Sequence, residues 1–199
     1  MKKLFLSLVL ILFFSSSVQS VTYNSNPEIF VNELIQDAIK TLSDKTLTTE
    51  KKNKAIEKIA LENVDINALG LYSLGDLRKT LEPADLSKYQ KLFEKYFLKS
   101  LTSRLTDYSS QRFEVSSSNQ KSARYTIVSS KIAKSSTQPE IKIDWRIYTK
   151  DPLKPLIRDL IVGGLSLART QKEEFASILN SNNNDINALF SKLEEFISN

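Results

Sequence analysis

The amino-acid sequence predicts an α+β fold in which N-terminal helices lead into a four-stranded antiparallel meander sheet, and C-terminal helices close the chain. Up to residue 105, apolar residues recur at helical spacing. From residue 112 to residue 162 they alternate with polar residues, as in strands, and after Ser166 the helical spacing returns. Because polar connections rather than helices join consecutive strands, the sheet is predicted to be antiparallel and not built from βαβ units.

The helices of the N-terminal half have recognisable starts. Asn26, followed by proline, is expected to cap the first helix, Thr48 to start the second and Asp65 to cap the third. A long fourth helix is entered through Pro83 and continues to residue 105. Its apolar face is unusually aromatic and includes Tyr89, Phe93, Tyr96 and Phe97. Such a face is typical of a filled core, and the alternative is the wall of a pocket.

Four strands are predicted at residues 112–117, 122–132, 141–148 and 156–162. The third alternates without a break, with Ile141, Ile143, Trp145 and Ile147 on one face and Lys142, Asp144, Arg146 and Tyr148 on the other. A strand of this kind covers something apolar on one side only. The pattern leaves open whether that is a filled core or a cavity that holds an apolar ligand.

Two helices are predicted after the sheet. The Gly163-Gly164 pair at the end of the last strand is expected to form a bend or bulge, or to allow close approach of a ligand. One helix follows Ser166, and either Asn184 or Asp185 caps the last.

Residues 1–20 are typical of a secretory signal peptide. A short cationic segment containing Lys2 and Lys3 precedes an apolar run over residues 4–14, and small residues stand at the cleavage positions around Ser20. The run is shorter than the roughly 20 residues of a membrane-spanning helix. We therefore expect an exported chain with one domain over residues 21–199.

Composition excludes several functional classes. The chain has neither histidine nor cysteine, so Ser-His-Asp triads, thiol catalysis and cysteine-zinc sites are excluded. Its 28 basic and 23 acidic residues are interleaved, which argues against nucleic acid as a partner and is compatible with a weak attraction to anionic membranes.

Carboxylate chemistry or a Ser-Lys pair is what composition leaves open. Asp159 is the stronger carboxylate candidate, because it lies among apolar neighbours in a predicted strand, whereas Asp144 is in phase with Lys142 and Arg146 on the polar face. A carboxylate in a dry pocket serves as the base in enzymes of the ketosteroid-isomerase type. The alternative is that Asp159 pairs with Arg146, Arg158 or a backbone amide. A domain with a solid core and no ligand is a further alternative.

Two blocks of the sequence resemble the MlaC/Ttg2D family. The first spans residues 65–108 and contains Leu74-Gly75, a basic residue at Arg78 or Lys79, Pro83, Phe93-Glu-Lys-Tyr96 and Leu105-Thr-Asp-Tyr108. The second contains Asp144-Trp145-Arg146, Asp159-Leu-Ile-Val-Gly-Gly-Leu-Ser166 and a closing helix with Ile186 and Leu189. Departures occur where the family commonly has glutamate, tryptophan, tyrosine and a Tyr-Arg pair, at Gly163, Pro155, Leu101 and Gln171 respectively.

The resemblance implies a soluble periplasmic carrier, without cofactor, metal or enzymatic activity, that shuttles phospholipid between the outer and inner membranes. Its implied partners are an inner-membrane ABC transporter complex with an MCE-type component and an outer-membrane lipoprotein. The helices and sheet are then expected to surround a deep apolar cavity for acyl chains. Hopanoids or other apolar ligands fit the same evidence. The residues predicted to line the cavity are Tyr96, Phe97, Ile127, Ile143, Trp145, Ile147, Val162 and Leu165.

Overall fold

The computed structural model describes residues 23–105, 112–134 and 139–199. These form six α-helices, a short 3₁₀ helix at Gly75–Lys79 and five strands. The helices are α1 (Pro27–Ser43), α2 (Thr49–Asn63), α3 (Ile66–Ser73), α4 (Pro83–Leu105), α5 (Leu167–Asn180) and α6 (Ile186–Ser198). The strands are β1 (Phe113–Ser122), β2 (Tyr125–Ile132), β3 (Ile141–Tyr148), β4 (Leu156–Val162) and β5 (Leu165–Ser166). The predicted signal peptide lies outside the described residues, and none of the helices within them is long and apolar enough to cross a membrane.

The predicted helix caps are confirmed. The Asn26 side chain accepts hydrogen bonds from the backbone amides of Glu28 and Ile29 at 3.0 and 3.2 Å, and Asp65 accepts one from the amide of Ala68 at 3.1 Å. At α6 the cap is Asp185. These side chains satisfy amides that have no partner within the helix, so local sequence decides where these helices begin.

The sheet is an antiparallel meander in the order β1-β2-β3-β4-β5, which confirms the predicted α+β class. Its apolar face carries Val128, Ile132, Ile143, Trp145, Ile147 and Ile157, which pack with Phe30, Val31, Leu34 and Ile35 of α1. Its polar face carries Lys142, Asp144 and Arg146 of β3, as the alternation in β3 predicts.

The prediction of four strands was wrong by one. Gly163 and Gly164 have φ angles of +57° and +88°, and they turn β4 back onto the two-residue strand β5, where Leu165 pairs with Val162. A two-residue hairpin turn with positive φ at both positions matches the twist of the strands it joins. A strand of two residues is too short to produce an alternating pattern, so only the pairing reveals it.

A second core lies among the helices. Tyr89 and Phe93 of α4 pack with Phe175 of α5 and with Leu189 and Phe190 of α6. Gly70 of α3 permits close approach, since a Cβ there would lie 2.8 Å from a ring carbon of Phe93. Helices α3 and α5 contact β4, so the two cores meet at the last full strand.

Candidate functional site

The apolar face of the sheet becomes less covered along β4. Ile157, near the start of the strand, is 5% exposed; Leu160 and Val162 are half-buried at the margin of the sheet core. Beyond the glycine turn, Leu165 is 69% exposed. Leu160, Val162 and Leu165 are called the open end of the apolar face. Apolar surface that is only partly covered by its own chain is available to an apolar ligand.

Three of the predicted lining residues lie in a closed part of the same face. Ile143, Trp145 and Ile147 are 7%, 8% and 0% exposed and belong to the core that packs against α1. The Trp145 indole Nε1 donates a hydrogen bond to the Ser130 hydroxyl at 2.8 Å, so its polar atom is satisfied inside the core. The structure places these residues on the same face as Val162, which pairs with Ile143, but α1 residues pack against the three.

Tyr96 and Phe97 of α4 are half-buried and pack against the core formed by the helices. The Tyr96 hydroxyl donates to Gln171 Oε1 of α5 at 2.8 Å. Burial, with a smaller contribution from Glu174, raises the pKa of Tyr96 above its ordinary value, so the hydroxyl stays protonated at neutral pH. Phe97 stacks on Phe93, with ring centroids 6.3 Å apart. These two side chains therefore belong to a different cluster from the sheet residues.

Ile127 does not share a surface with the other predicted lining residues of the sheet. Its register partner is Arg146, whereas its neighbour Val128 faces Trp145. Ile127 is thus on the polar face, and the prediction of one common lining for all eight residues requires correction. The phase of β2 is set by the buried residues Thr126 and Val128.

Asp159 is engaged in structural contacts. One carboxylate oxygen accepts from the Ser166 hydroxyl at 2.6 Å and the other from the Ala168 amide at 3.0 Å, while Arg146 lies 3.6 Å away. The Asp159 side chain is fully buried. Pairing with Arg146 and with a backbone amide, one of the two predicted roles, is confirmed. Through these contacts, Asp159 holds the start of α5 against β4.

Arg158, the other predicted partner of Asp159, pairs elsewhere. It is the extra residue of a β-bulge, because Arg146 and Ile147 face Asp159 and Ile157. Its Nε and Nη2 lie 2.8 and 2.7 Å from Asp65 Oδ2, at the cap of α3.

Two tyrosines complete the surroundings of Arg158. Nη1 donates to the Tyr125 hydroxyl at 3.0 Å, and the guanidinium carbon lies 3.4 Å from the Tyr148 ring centroid. Burial disfavours the charged guanidinium, but the hydrogen bonds to Tyr125 and Asp65 raise the pKa of Arg158. Sequence analysis missed this pairing of Arg158 with Asp65, which links the sheet to the helices, because no local sequence pattern predicts a bulge.

The open end includes one residue that sequence analysis missed. Leu160 is two positions before Val162 in β4, so the alternation that selected Val162 also points to Leu160. A separate open groove of about 440 Å³ lies between α5 and α6, lined by Ser177, Ile178, Ser181, Asn182, Ala188, Ser191 and Lys192. It contains none of the eight predicted lining residues, and the deep cavity itself stays a prediction.

Comparisons with known proteins give one family match and one similar fold. The family model described as MlaC protein matches residues 32–195. A phospholipid-binding protein from Ralstonia solanacearum, solved in complex with a phospholipid, is similar in structure, with a TM-score of 0.71 and 18% sequence identity. The match covers 84% of this chain and 94% of that one. A comparison with curated proteins gives no match.

Proposed function

The chain belongs to the MlaC family, and from this premise we propose that it is a periplasmic carrier that binds phospholipid and shuttles it between the outer and inner membranes. The bound phospholipid in the structurally similar Ralstonia protein supports the choice of ligand. The family supports the proposed partners, an inner-membrane ABC transporter complex with an MCE-type component and an outer-membrane lipoprotein.

The observation that carries the proposal is the change in exposure along the apolar face, from Ile157 at 5% to Leu165 at 69%. We place the entrance for acyl chains at the open end, where the apolar face is least covered. The chains would extend from there between the sheet and the helices. Ile143, Trp145 and Ile147 lie farther along the same face, where they pack with α1.

Hydrophobic transfer alone accounts for binding. Each methylene removed from water contributes about 0.8 kcal/mol, so a long acyl chain left in water costs on the order of 10 kcal/mol. If the site is as apolar as the bilayer interior, transfer of an acyl chain between the site and a membrane is nearly neutral in free energy. The direction of transport must then come from the partner complexes, which bind or release the carrier differently in its loaded and empty states.

The proposed carrier has no enzymatic role for Asp159. Asp159 has no exposed side-chain surface and its oxygens are engaged by Ser166, Ala168 and Arg146, so it is not available as a base for a substrate. Asp159→Asn should therefore change the stability of the protein, and no enzymatic activity should be lost with it. If Asp159→Asn abolished turnover of a small apolar substrate while lipid binding persisted, the isomerase alternative would replace the carrier.

The first test is lipid extraction and native mass spectrometry of protein purified without detergent. Phospholipid should co-purify with the unaltered protein, and its absence would overturn the proposed function. The same measurement distinguishes phospholipids from hopanoids.

A pair of valine substitutions locates the site. Val162→Trp fills the open end, so it should displace lipid while the unfolding midpoint stays close to that of the unaltered protein. Val128→Trp is the matched control, because Val128 is 0% exposed on the same face; overpacking there should destabilise the fold by about 1–3 kcal/mol or more. A stable Val162→Trp variant that keeps its phospholipid would place the binding site elsewhere.

A further inference from the structure

Two exposed leucines follow the glycine turn at the end of the sheet. Leu165 is 69% and Leu167 is 45% exposed. Residues 163–167 are called the leucine tip. The tip is anchored at its base, because Ser166 and the amide of Ala168 both donate hydrogen bonds to buried Asp159. The leucines are thus presented on a hairpin and a helix start that a buried carboxylate holds in place.

Cations accompany the leucine tip. The Lys142 carbonyl accepts a hydrogen bond from the Gly163 amide at 2.9 Å, which places exposed Lys142 beside the turn. Exposed Arg169 follows in the first turn of α5. The carboxylates on neighbouring strand positions are engaged within the protein: Asp159 is buried, and Asp144 accepts from the Ser129 hydroxyl at 2.6 Å. Lys142 and Arg169 are therefore the cations next to the tip, and the exposed carboxylates of Glu173 and Glu174 follow farther along α5.

One further cation, Lys172, lies beyond Arg169 on α5. Lys172 is three residues beyond Arg169, on the same side of the helix, and its Nζ lies 5.4 Å from the ring centroid of Tyr72. Tyr72 is itself 43% exposed. Lysine, arginine and tyrosine beside exposed leucine are the side chains that suit the boundary between lipid head groups and acyl chains.

We propose that the leucine tip docks on the surface of an anionic phospholipid bilayer, with Leu165 and Leu167 entering the interface and Lys142 and Arg169 contacting lipid phosphates. The proposal rests on the proposed function, which requires exchange of lipid with membranes. Leu165 also belongs to the open end, so docking brings the entrance of the acyl-chain site against the bilayer. Acyl chains then pass between bilayer and protein without crossing water.

The choice of a bilayer follows from the combination of apolar and cationic side chains. A cation near an anionic membrane makes a modest favourable contribution, and partial burial of a leucine side chain adds another. These contributions give weak and reversible association, as a carrier that must leave the membrane again requires.

The experiment is flotation of the purified protein with two kinds of vesicle, pure phosphatidylcholine and an equal mixture of phosphatidylcholine and phosphatidylglycerol. The unaltered protein should float with the mixed vesicles and much less with the neutral ones, and its binding should weaken as salt is raised. Lys142→Glu with Arg169→Glu should lower partitioning by about tenfold or more. Leu167→Ser should lower it several-fold.

The controls use the opposite end of the sheet. Leu153 is 81% exposed in the connection between β3 and β4, where Lys150 and Lys154 are also exposed. Leu153→Ser, and Lys150→Glu with Lys154→Glu, should leave partitioning unchanged. Equal losses at both ends of the sheet, or no binding of the unaltered protein to mixed vesicles, would overturn the docking proposal.

Phospholipid content separates this proposal from the proposed function. Lys142→Glu with Arg169→Glu should retain co-purified phospholipid, because neither residue is in the open end. Protein that carries phospholipid and fails to bind vesicles refutes docking and leaves the carrier function standing. Protein that binds vesicles and carries no phospholipid refutes the carrier function and leaves docking standing.

Discussion

The carboxylate of Asp159 and the hydroxyl of Ser166 lie 2.6 Å apart across the hairpin that joins β4 to β5. Ser166 also caps α5, by accepting a hydrogen bond from the Arg169 amide at 3.1 Å. One buried acid therefore fixes a strand, a turn and a helix start together. The open end and the leucine tip are both built on this junction, so its stability decides how precisely they are positioned.

Asp159→Asn should lower the free energy of unfolding by about 1–3 kcal/mol, because an amide cannot accept all three contacts and leaves a donor poorly paired. Urea denaturation followed by circular dichroism measures the change. Asp76→Asn is the control, since the Asp76 side chain is 89% exposed in its pair with Lys79, and it should leave the midpoint unchanged. An Asp159→Asn variant as stable as the unaltered protein would refute this role.

The pair formed by Arg158 and Asp65 should be energetically coupled. A double-mutant cycle with Arg158→Met and Asp65→Asn is expected to give a coupling free energy of about 1–2 kcal/mol, since both side chains are largely shielded from water. The cycle subtracts the separate capping role of Asp65. The same cycle on Lys54 and Glu50, whose side chains are 71% and 76% exposed, should give no measurable coupling. Equal coupling in the two pairs would contradict the structural role of the bulge.

Stability should fall steeply at alkaline pH. Burial raises the pKa of Tyr89 far above the ordinary value of 10.0, and burial with a hydrogen bond to Asp37 does the same for Tyr23. Between the unfolded and folded pKa, the unfolded chain loses protons that the folded chain keeps. The stabilisation is therefore complete below about pH 10 and is lost above it, by about 1.4 kcal/mol per pH unit for each group.

Tyr89→Phe tests this dependence directly. The variant should lose about 1 kcal/mol at neutral pH, because the hydrogen bonds to Gly70 and Ser73 are removed. Its decline above pH 10 should be shallower than that of the unaltered protein. Tyr72→Phe, at an exposed position, should keep the original slope. An unchanged slope in Tyr89→Phe would mean that Tyr89 is not protected by burial.

The glycine turn should tolerate substitution according to backbone preference alone. A Cβ at Gly163 would meet no atom within 4 Å, but φ is +57°. Gly163→Val should therefore destabilise the protein by about 1–2 kcal/mol, whereas Gly163→Asn should cost clearly less, since asparagine adopts this conformation more readily. Thermal unfolding of the two variants gives the comparison, and equal losses would point to steric contact instead of backbone strain.

Local patterns predicted much of the fold. The Asn-Pro step at residue 26 and the aspartates at 65 and 185 mark helix starts, because capping depends on neighbours a few positions away. The alternation in β3 separated Trp145 from Arg146 correctly, because successive side chains of a strand point to opposite faces.

The candidate site was less accessible to sequence reasoning. Trp145 and Val162 share a face, yet one is enclosed by α1 and the other lies near the margin of the core. Because both side chains are apolar, the sequence predicts that both avoid water. It does not predict which of the two is covered by the protein's own helices. Ile127, predicted to line the same cavity, pairs with Arg146 on the other face, and only the pairing of β2 with β3 shows this.

The sequence by itself determined where helices begin, which face of β3 is apolar and that no histidine or cysteine chemistry is available, because these follow from residue type and spacing. Only the tertiary structure decided that Asp159 anchors α5, that Arg158 pairs with Asp65 and that the apolar face opens toward Leu165. Those facts depend on which distant segments meet. Burial and pairing are properties of the assembled chain, and no single stretch of sequence contains them.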